Sequence, residues 1–184
     1  MFTLRPMTAA DADDIARIHA ESWRSAYRGI LPDRYLDDEV ADERRTFWQD
    51  RLRDPARGDY GFLAYNRGAI AGFAFGCANH SPEWGHLLDN LHVLPALRGM
   101  GAGRSLLRTF VEALTHEPED RGLHLWAYEE NRDARRFYER LGARRLHSEI
   151  ADTFGGARAS LSLYAWASTA LLHRRLSSVT QSHG

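Results

Sequence analysis

Apolar residues in this chain follow two different spacings, and each change of spacing marks the border of a predicted strand or helix. Period-two alternation predicts strands at residues 2–5, 60–65 and 70–77, the last two joined by an Asn-Arg-Gly turn that suits a hairpin. Helical spacing predicts a first helix behind a threonine cap at Thr8 and a second helix through residues 36–52.

The rest of the chain alternates strands with helices. Residues 79–85 are polar and are predicted as a loop. Apolar alternation then predicts four strands, at residues 87–94, 123–128, 143–150 and 159–166. Helices are predicted after the first two of them, and a Gly-Gly turn separates the last two. The order β-α-α-β-β-β-α-β-α-β-β indicates an α/β fold.

A glycine-rich segment, residues 98–104, lies between a predicted strand and a predicted helix, and we call it the glycine loop. Its alternating glycines leave backbone N–H groups uncovered at the positive end of the helix, an arrangement that suits phosphate oxygens. Arg98 and Arg104 flank the glycines with cationic donors that suit the same ligand. The alternative is a turn in which the glycines only allow tight packing.

The spacing of the glycines excludes two common phosphate-binding motifs. A Gly-x-Gly-x-x-Gly dinucleotide fingerprint would need its third glycine at Arg104 or Leu106, and a P-loop would need a Gly-Lys-Ser/Thr ending. The segment instead matches Arg/Gln-x-x-Gly-x-Gly/Ala through Arg98, Gly101 and Gly103. It resembles the loop that binds the pyrophosphate of acyl-CoA in the GNAT superfamily of N-acyltransferases.

A second motif supports the first. Residues 131–143 match Asn-x-x-Ala-x-x-Phe-Tyr-x-x-x-Gly-Ala, with Ala134, Phe137, Tyr138 and Leu141 on one helical face. This pattern resembles the other signature of GNAT enzymes, although a Phe-Tyr pair alone is more often part of a core. The resemblance implies a GNAT acyl-CoA N-acyltransferase fold, an α/β structure with a mixed six- to seven-stranded sheet flanked by helices.

The predicted domain organisation is simple. Residues 1–167 are expected to form a single N-acetyltransferase (GNAT) domain. Residues 168–184 are expected to form a C-terminal tail that is partly disordered.

The resemblance also implies which residues act. The pantetheine arm would pair with a strand backbone, the pyrophosphate would sit on the glycine loop, and an asparagine would contact the pantetheine. The residues so assigned to acetyl-CoA are Leu91, His92, Val93, Arg98, Gly99, Met100, Gly101, Ala102, Gly103, Arg104, Asn131 and Tyr138. Tyr138 matches the general acid that protonates the departing CoA thiolate, and a phenol with a pKa of ~10 carries that proton at neutral pH. The alternative for Tyr138 is a core aromatic whose hydroxyl reaches a backbone carbonyl.

The resemblance leaves the identity of the general base undetermined. Many relatives have a glutamate four residues before the position of Leu91, where this chain has Leu87. Asp89 and His92 are the catalytic candidates, expected on opposite faces of one strand, and His92 has the more suitable unperturbed pKa, ~6.5. A chain of water molecules is an equally good alternative. Three further candidates lie in or beside the preceding loop: His80, Glu83 and His86.

Composition and net charge exclude some classes of binding partner. A net charge of −1 argues against nucleic-acid binding through phosphate neutralisation. The single cysteine, Cys77, excludes an intrachain disulfide framework and a cysteine-based zinc site, and a buried structural role is expected for it. No signal peptide or membrane-spanning run is visible, so a cytoplasmic protein without metal or membrane partner is expected. The sequence is compatible with a homodimer.

The expected function is transfer of acetyl from acetyl-CoA to a primary amine of a small molecule or peptide, by direct attack. The first alternative is a catalytically silent acyl-CoA-binding module, for which Leu87 argues, and the second is an interaction protein that reuses the fold. Aromatic residues that might line an amine pocket are Trp23, Tyr27, Trp84 and Tyr128. Carboxylates available for a cation are Asp33, Asp37, Glu83 and Asp152.

Overall fold

The computed structural model describes residues 2–178, which form a seven-stranded sheet with helices on both faces. The strands are β1 (Thr3–Pro6), β2 (Asp59–Asn66), β3 (Ala69–Ser81), β4 (Gly85–Val93), β5 (Leu123–Tyr128), β6 (Arg144–Asp152) and β7 (Arg158–Trp166). The helices are α1 (Ala12–Ala26), α2 (Val40–Arg53), α3 (Ala102–Leu114), α4 (Arg132–Arg140) and α5 (Thr169–Ser178). The strand order is β1-β2-β3-β4-β5-β7-β6.

Two apolar layers cover the sheet. Successive residues of a strand point to opposite faces. Accordingly, Ala74 of β3 packs with α3 and α5, whereas its neighbours Phe73 and Phe75 pack with α1 and α2. The second layer includes Ile15 of α1 and Trp48 of α2, neither of which is solvent-exposed. The amphipathic helices therefore bury their apolar stripes on both sides of one sheet.

The sheet opens between β4 and β5. These two strands run parallel and pair only at His86 with Leu123 and at Leu87 with His124. Beyond Leu87, β4 stays paired with β3, while β5 stays paired with β7. The two halves of the sheet thus diverge towards the carboxyl ends of β4 and β5, and a gap forms beside the second half of β4.

A β-bulge lies at the start of this gap. Phe75 of β3 faces Asn90 of β4, but Gly76 faces Leu88, so Asp89 is the extra residue with no partner on β3. A bulge reverses the alternation of side chains beyond it. The residues of β4 after Asp89 therefore point to the faces opposite to those that regular alternation would assign.

The predicted order of elements is confirmed, with one correction and one additional helix. Residues 79–81, predicted as a loop, belong to β3, because this part of the strand pairs back to β4 at Ser81 and Gly85. Helix α5 lies in the segment predicted as a partly disordered tail; it buries Leu172 and Leu176 against the first layer. Residues 179–184 lie outside the described residues.

Candidate active site

The open edge of β4 is the first component of the site. The residues predicted to pair with pantetheine, Leu91, His92 and Val93, all lie on β4 beyond its last contact with β5. Among residues 2–178, only β3 pairs with this stretch, so its other edge offers free backbone groups. One carbonyl is engaged, since the Nε of Arg98 donates to the oxygen of Val93 at 3.2 Å. An extended amide chain fits such an edge as an additional strand.

The glycine loop follows β4 and leads into α3. Gly99 and Gly101 have φ values of +79° and +92°, which favour glycine, and no atom lies within 4 Å of the position a Cβ would take in either residue. The first helical bond of α3 runs from the N–H of Ser105 to the carbonyl of Gly101, at 3.0 Å. Among residues 2–178, no carbonyl or side chain accepts from the N–H groups of residues 99–104. The loop therefore presents open backbone donors at the positive end of a helix, as an anion site requires.

The two arginines of the loop are engaged elsewhere, contrary to the expectation that both face a phosphate. Arg98 donates to Ser25 Oγ at 3.1 Å and to Ser22 Oγ at 3.2 Å, which ties the loop to α1. Arg104 donates to the carbonyls of Arg175 and Leu176 at 2.8 and 2.9 Å, which holds the end of α5. Arg98 is thereby largely engaged, whereas Arg104 uses only one terminal nitrogen, so an anion would find the backbone N–H groups and the remaining donors of Arg104.

Asn131 begins α4. Its Oδ1 accepts from the N–H of Ala134 at 3.3 Å, which makes Asn131 the N-cap of the helix. The side-chain oxygen that the family resemblance would direct to pantetheine thus has a local partner. The side-chain amide nitrogen donates to no acceptor among residues 2–178 and stays free for a ligand.

Tyr138 projects from α4 into the first layer. Only 8% of the residue is exposed, and its ring lies edge-on to Phe137 and Trp166, with centroids 5.3 and 6.1 Å away. Burial raises the pKa of its hydroxyl, so the proton is retained at neutral pH. Within the described chain the hydroxyl makes no hydrogen bond, so the backbone carbonyl proposed as its alternative partner is not found.

A cavity of about 700 Å³ lies on the opposite face of the sheet, and we call it the acceptor cavity. Helices α1 and α2, strands β4 and β5, and the turn between β6 and β7 enclose it. Its lining residues are Trp23, Tyr27, Arg44, Phe47, His80, Leu87, Leu88, Asp89, Asn90, His92, His124, Trp126, Tyr128, Asp152, Thr153, Phe154 and Leu161. Its size falls in the range of small-molecule sites, about 300–1,000 Å³.

Asp89 and His92 both line this cavity, which corrects the expectation that they face opposite sides of the sheet. Residues three apart on a regular strand point in opposite directions, but the bulge at Asp89 adds the residue that brings them to one face. The register between β3 and β4 determines this change, and the residue pattern of β4 alone does not reveal it.

The carboxylate of Asp89 is held by the cavity wall. Asn90 Nδ2 donates to its Oδ2 at 2.7 Å. The surrounding protein raises the pKa of Asp89 by desolvation, and Arg51, Arg44 and His80 oppose this rise by their charges. The side chain is nevertheless open to solvent from the cavity, so it is a basic carboxylate within reach of a ligand.

His92 has a different environment. Its ring lies 4.4 Å from the ring of His19, and its Nδ1 lies 3.1 Å from Ser22 Oγ. Burial lowers the pKa of His92 to about 3, and the charges of Arg98 and Arg44 act in the same direction. The imidazole is therefore neutral at physiological pH and a weak base, not the near-neutral base that its unperturbed pKa suggests.

Three of the four aromatic residues predicted for an amine pocket line the cavity: Trp23, Tyr27 and Tyr128. Trp84 does not. Sequence reasoning missed three further aromatic residues, which are Phe47, Trp126 and Phe154. The only signal for Phe154 was its place beside the Gly-Gly turn between the last two strands.

Among the carboxylates predicted to be available for a cation, only Asp152 lines the acceptor cavity, and it pairs with Arg158 at 3.4 Å. Asp33 and Asp37 instead pair with Arg28 outside the cavity. Glu83 is not part of its lining. Asp89 is therefore the cavity carboxylate without a salt-bridge partner among residues 2–178.

The comparison with known protein families decides the classification. Residues 14–143 match the family model described as the acetyltransferase (GNAT) family. The chain belongs to the acetyltransferase (GNAT) family. The predictions of a GNAT fold and of an acyl-CoA-dependent acetyltransferase are thereby confirmed.

Individual relatives agree with this GNAT classification. YuaI of Bacillus subtilis (strain 168), an uncharacterized N-acetyltransferase, is 31% identical over 134 residues, which cover 71% of this chain and 74% of YuaI. A GNAT-family acetyltransferase structure from Desulfovibrio desulfuricans matches with a TM-score of 0.68 and 22% identity, covering 91% of this chain and 99% of that one. YncA of Salmonella typhimurium, solved with its cofactor acetyl-CoA, matches with a TM-score of 0.65 and 19% identity, covering 91% and 94%.

Two features are absent from the described part of this GNAT chain. No helix within residues 2–178 is long and apolar enough to cross a membrane. The same residues contain no group of three or more histidine, cysteine, aspartate or glutamate side chains arranged to hold a metal ion. A cytoplasmic location and a homodimer stay predictions.

Proposed function

We propose that this protein transfers the acetyl group of acetyl-CoA to a primary amine by direct attack. One observation carries the proposal. The gap between β4 and β5 has the glycine loop at its end, and the acceptor cavity with Asp89 opens beside it. A thioester lying along β4 would thus have its carbonyl near a basic carboxylate on one face and near α4 on the other.

Acetyl-CoA is proposed to bind mainly through the backbone. Its pantetheine amides would pair with the open edge of β4 at residues 91–93, and its pyrophosphate would accept from the N–H groups of residues 99–104. The free side-chain amide of Asn131 would donate to a pantetheine carbonyl. The acetyl-CoA complex of the structural neighbour YncA supports this choice of co-substrate.

Asp89 is proposed as the general base. An alkyl amine with a pKa of ~10.4 is almost fully protonated at pH 7, so a proton must leave before the nitrogen can attack. The raised pKa of Asp89 and its position on the cavity wall suit this transfer, whereas the lowered pKa of His92 does not. Asp89 would then take over the task that a glutamate two positions earlier performs in many relatives.

Tyr138 is proposed as the general acid. As the amine nitrogen bonds to the acetyl carbon, the bond from carbon to sulfur breaks and the CoA thiolate leaves. The Tyr138 hydroxyl retains its proton and has no hydrogen-bond partner among residues 2–178, so it is available to protonate the sulfur. A chain of water molecules is the competing source of that proton.

A free-thiol release assay tests the proposed function. Acetyl-CoA is incubated with the protein and a panel of polyamines, aminoglycosides, amino acids and peptide N-termini, and release without amine is subtracted. We expect amine-dependent release of thiol with at least one class. Binding of acetyl-CoA without release across the whole panel would support a silent acyl-CoA-binding module instead.

A further inference from the structure

Arg44 of α2 is a buried cation in the wall of the acceptor cavity. Only 6% of the residue is exposed. Its guanidinium carbon lies over three aromatic rings, at 4.9 Å from the ring centre of Trp23, 4.7 Å from Phe47 and 5.1 Å from Phe154. Such rings stabilise a cation and hold its plane in one orientation.

The hydrogen bonds of Arg44 are incomplete. A guanidinium carries five N–H donors. One terminal nitrogen donates to Glu43, and the buried Nε has no acceptor among residues 2–178. Glu43 is itself shared, because it also accepts from the hydroxyl of Tyr35. A buried donor without a partner is costly, so this position favours a ligand that supplies an acceptor.

The turn between β6 and β7 brings Phe154 over Arg44. Gly155 in this turn has a φ of +66°, and a Cβ on it would lie 2.6 Å from the Cβ of Tyr35. The turn is therefore packed directly on the segment before α2, and only glycine permits this approach. Phe154 consequently covers the guanidinium and keeps it beside the cavity.

We infer that Arg44 binds a carboxylate of the acceptor, so that the acceptor is a free amino acid with a large apolar side chain. This inference rests on the proposed function, since it identifies the amine that the acceptor cavity takes. Guanidinium and carboxylate match in a planar, two-bonded geometry. The amine would approach Asp89 on β4, and the apolar side chain would contact the aromatic lining.

The same arrangement disfavours other classes of amine. A polyamine or an aminoglycoside brings only positive charge, so it would leave the donors of Arg44 unpaired and be repelled by the guanidinium. Asp152, the other carboxylate of the cavity lining, pairs with Arg158, and Glu43, which forms an ion pair with Arg44, engages only one of its terminal nitrogens.

The wild-type protein provides the first test. Thiol release from acetyl-CoA is measured with L-phenylalanine, L-phenylalaninamide and phenethylamine, and kcat/KM is compared per concentration of unprotonated amine. A charged hydrogen-bonded pair corresponds to about 10- to 100-fold in binding, so we expect phenylalanine to be preferred by a factor of this size. Equal kcat/KM for the three amines would overturn the inference while leaving the proposed function intact.

Substitutions of Arg44 test whether this residue causes the preference for phenylalanine. Arg44→Met should lower the ratio of kcat/KM for phenylalanine to kcat/KM for phenethylamine about 10- to 100-fold, whatever it does to the activity with both amines. Arg44→Lys keeps the charge but not the planar fork, so its preference for phenylalanine should be intermediate between those of wild type and Arg44→Met. Arg45→Met is the matched control, because Arg45 is the exposed neighbour that pairs with Asp42.

These experiments distinguish failure of the inference about Arg44 from failure of the proposed acetyl transfer. An Arg44→Met protein that keeps the preference for phenylalanine would overturn the inference. If this variant does not fold, the wild-type comparison of the three amines decides alone. Absence of thiol release with any amine would contradict the proposed function itself, and the inference with it.

Discussion

Gly101→Val separates ligand binding from folding at the glycine loop. Gly101 precedes α3 with a φ of +92°, and no atom lies within 4 Å of the place a Cβ would take. The Cβ of the valine would therefore meet no atom beyond its chain neighbours, and the main expected cost to folding is backbone strain of about 1–2 kcal/mol. For a chain of this size that strain lowers Tm by about 2–8 °C.

The hairpin between β2 and β3 supplies a matched control. Gly68 has a φ of +82°, and again no atom lies within 4 Å of its Cβ position. Gly68→Val should therefore cost about as much stability as Gly101→Val. The two substitutions differ in one respect, because only Gly101 lies among the open N–H groups of the glycine loop.

The assay is thermal unfolding with and without acetyl-CoA. A ligand at 100 times its Kd stabilises the folded state by about 2.7 kcal/mol, which is about 5–10 °C in Tm here. Wild type and Gly68→Val should show this rise, and Gly101→Val should lose it, since the side chain fills the space of the phosphate oxygens. A full rise in Gly101→Val, or a rise with NAD or ATP instead of acetyl-CoA, would refute the reasoning.

Two further predictions concern Tyr138 and the buried histidines. Tyr138→Phe should lower kcat by about 10²–10⁴ in steady-state assays with little change in acetyl-CoA affinity, and unchanged kcat would remove the tyrosine from the mechanism. Stability in urea unfolding should fall as pH drops from about 6.5 towards 3, because the unfolded chain protonates histidines that stay neutral in the fold, at up to about 1.4 kcal/mol per pH unit for each. His19 and His92 both have lowered pKa values, so His92→Gln should reduce this slope, and an unchanged slope would contradict the assignment.

Local patterns predicted the elements well. The glycine loop and the motif on α4 are each a single continuous stretch of sequence. Their turn residues and helical spacing are sufficient to predict their local structure. Gly101 illustrates this, because it was assigned to the loop from the motif alone, and the structure shows that its φ is positive, as glycine favours. The family and its fold could therefore be predicted before any contact was known.

Features that depend on contacts between distant segments were not predictable in this way. The bulge at Asp89 arises from the pairing of β3 with β4, and the neutral state of His92 arises from its burial near α1. Arg98 and Arg104 have the charge that a phosphate site needs, but Arg98 donates to serines of α1, and one terminal nitrogen of Arg104 donates to the end of α5. Helix α5 was missed because its apolar stripe is too short to stand out from a polar tail.

In the proposed reaction, an amine in the acceptor cavity loses its proton to Asp89 before it attacks acetyl-CoA. Asp89→Asn keeps the shape of the side chain and removes its basicity. Because desolvation by the surrounding protein raises the pKa of Asp89, the charge of the carboxylate does not stabilise the fold, so the variant should keep about the stability of wild type at neutral pH. A loss of activity in this variant would then report chemistry and not unfolding.

The most direct measurement is the pH dependence of kcat/KM for thiol release by wild type, Asp89→Asn and His92→Gln, with Asp50→Asn on the surface of α2 as a control. With kcat/KM expressed per concentration of unprotonated amine, we expect the wild-type value to rise with pH as the base loses its proton. Asp89→Asn should be lower by about 10²–10⁴, whereas His92→Gln should lose less than about tenfold. An Asp89→Asn protein with the kcat/KM and pH profile of wild type would contradict the account.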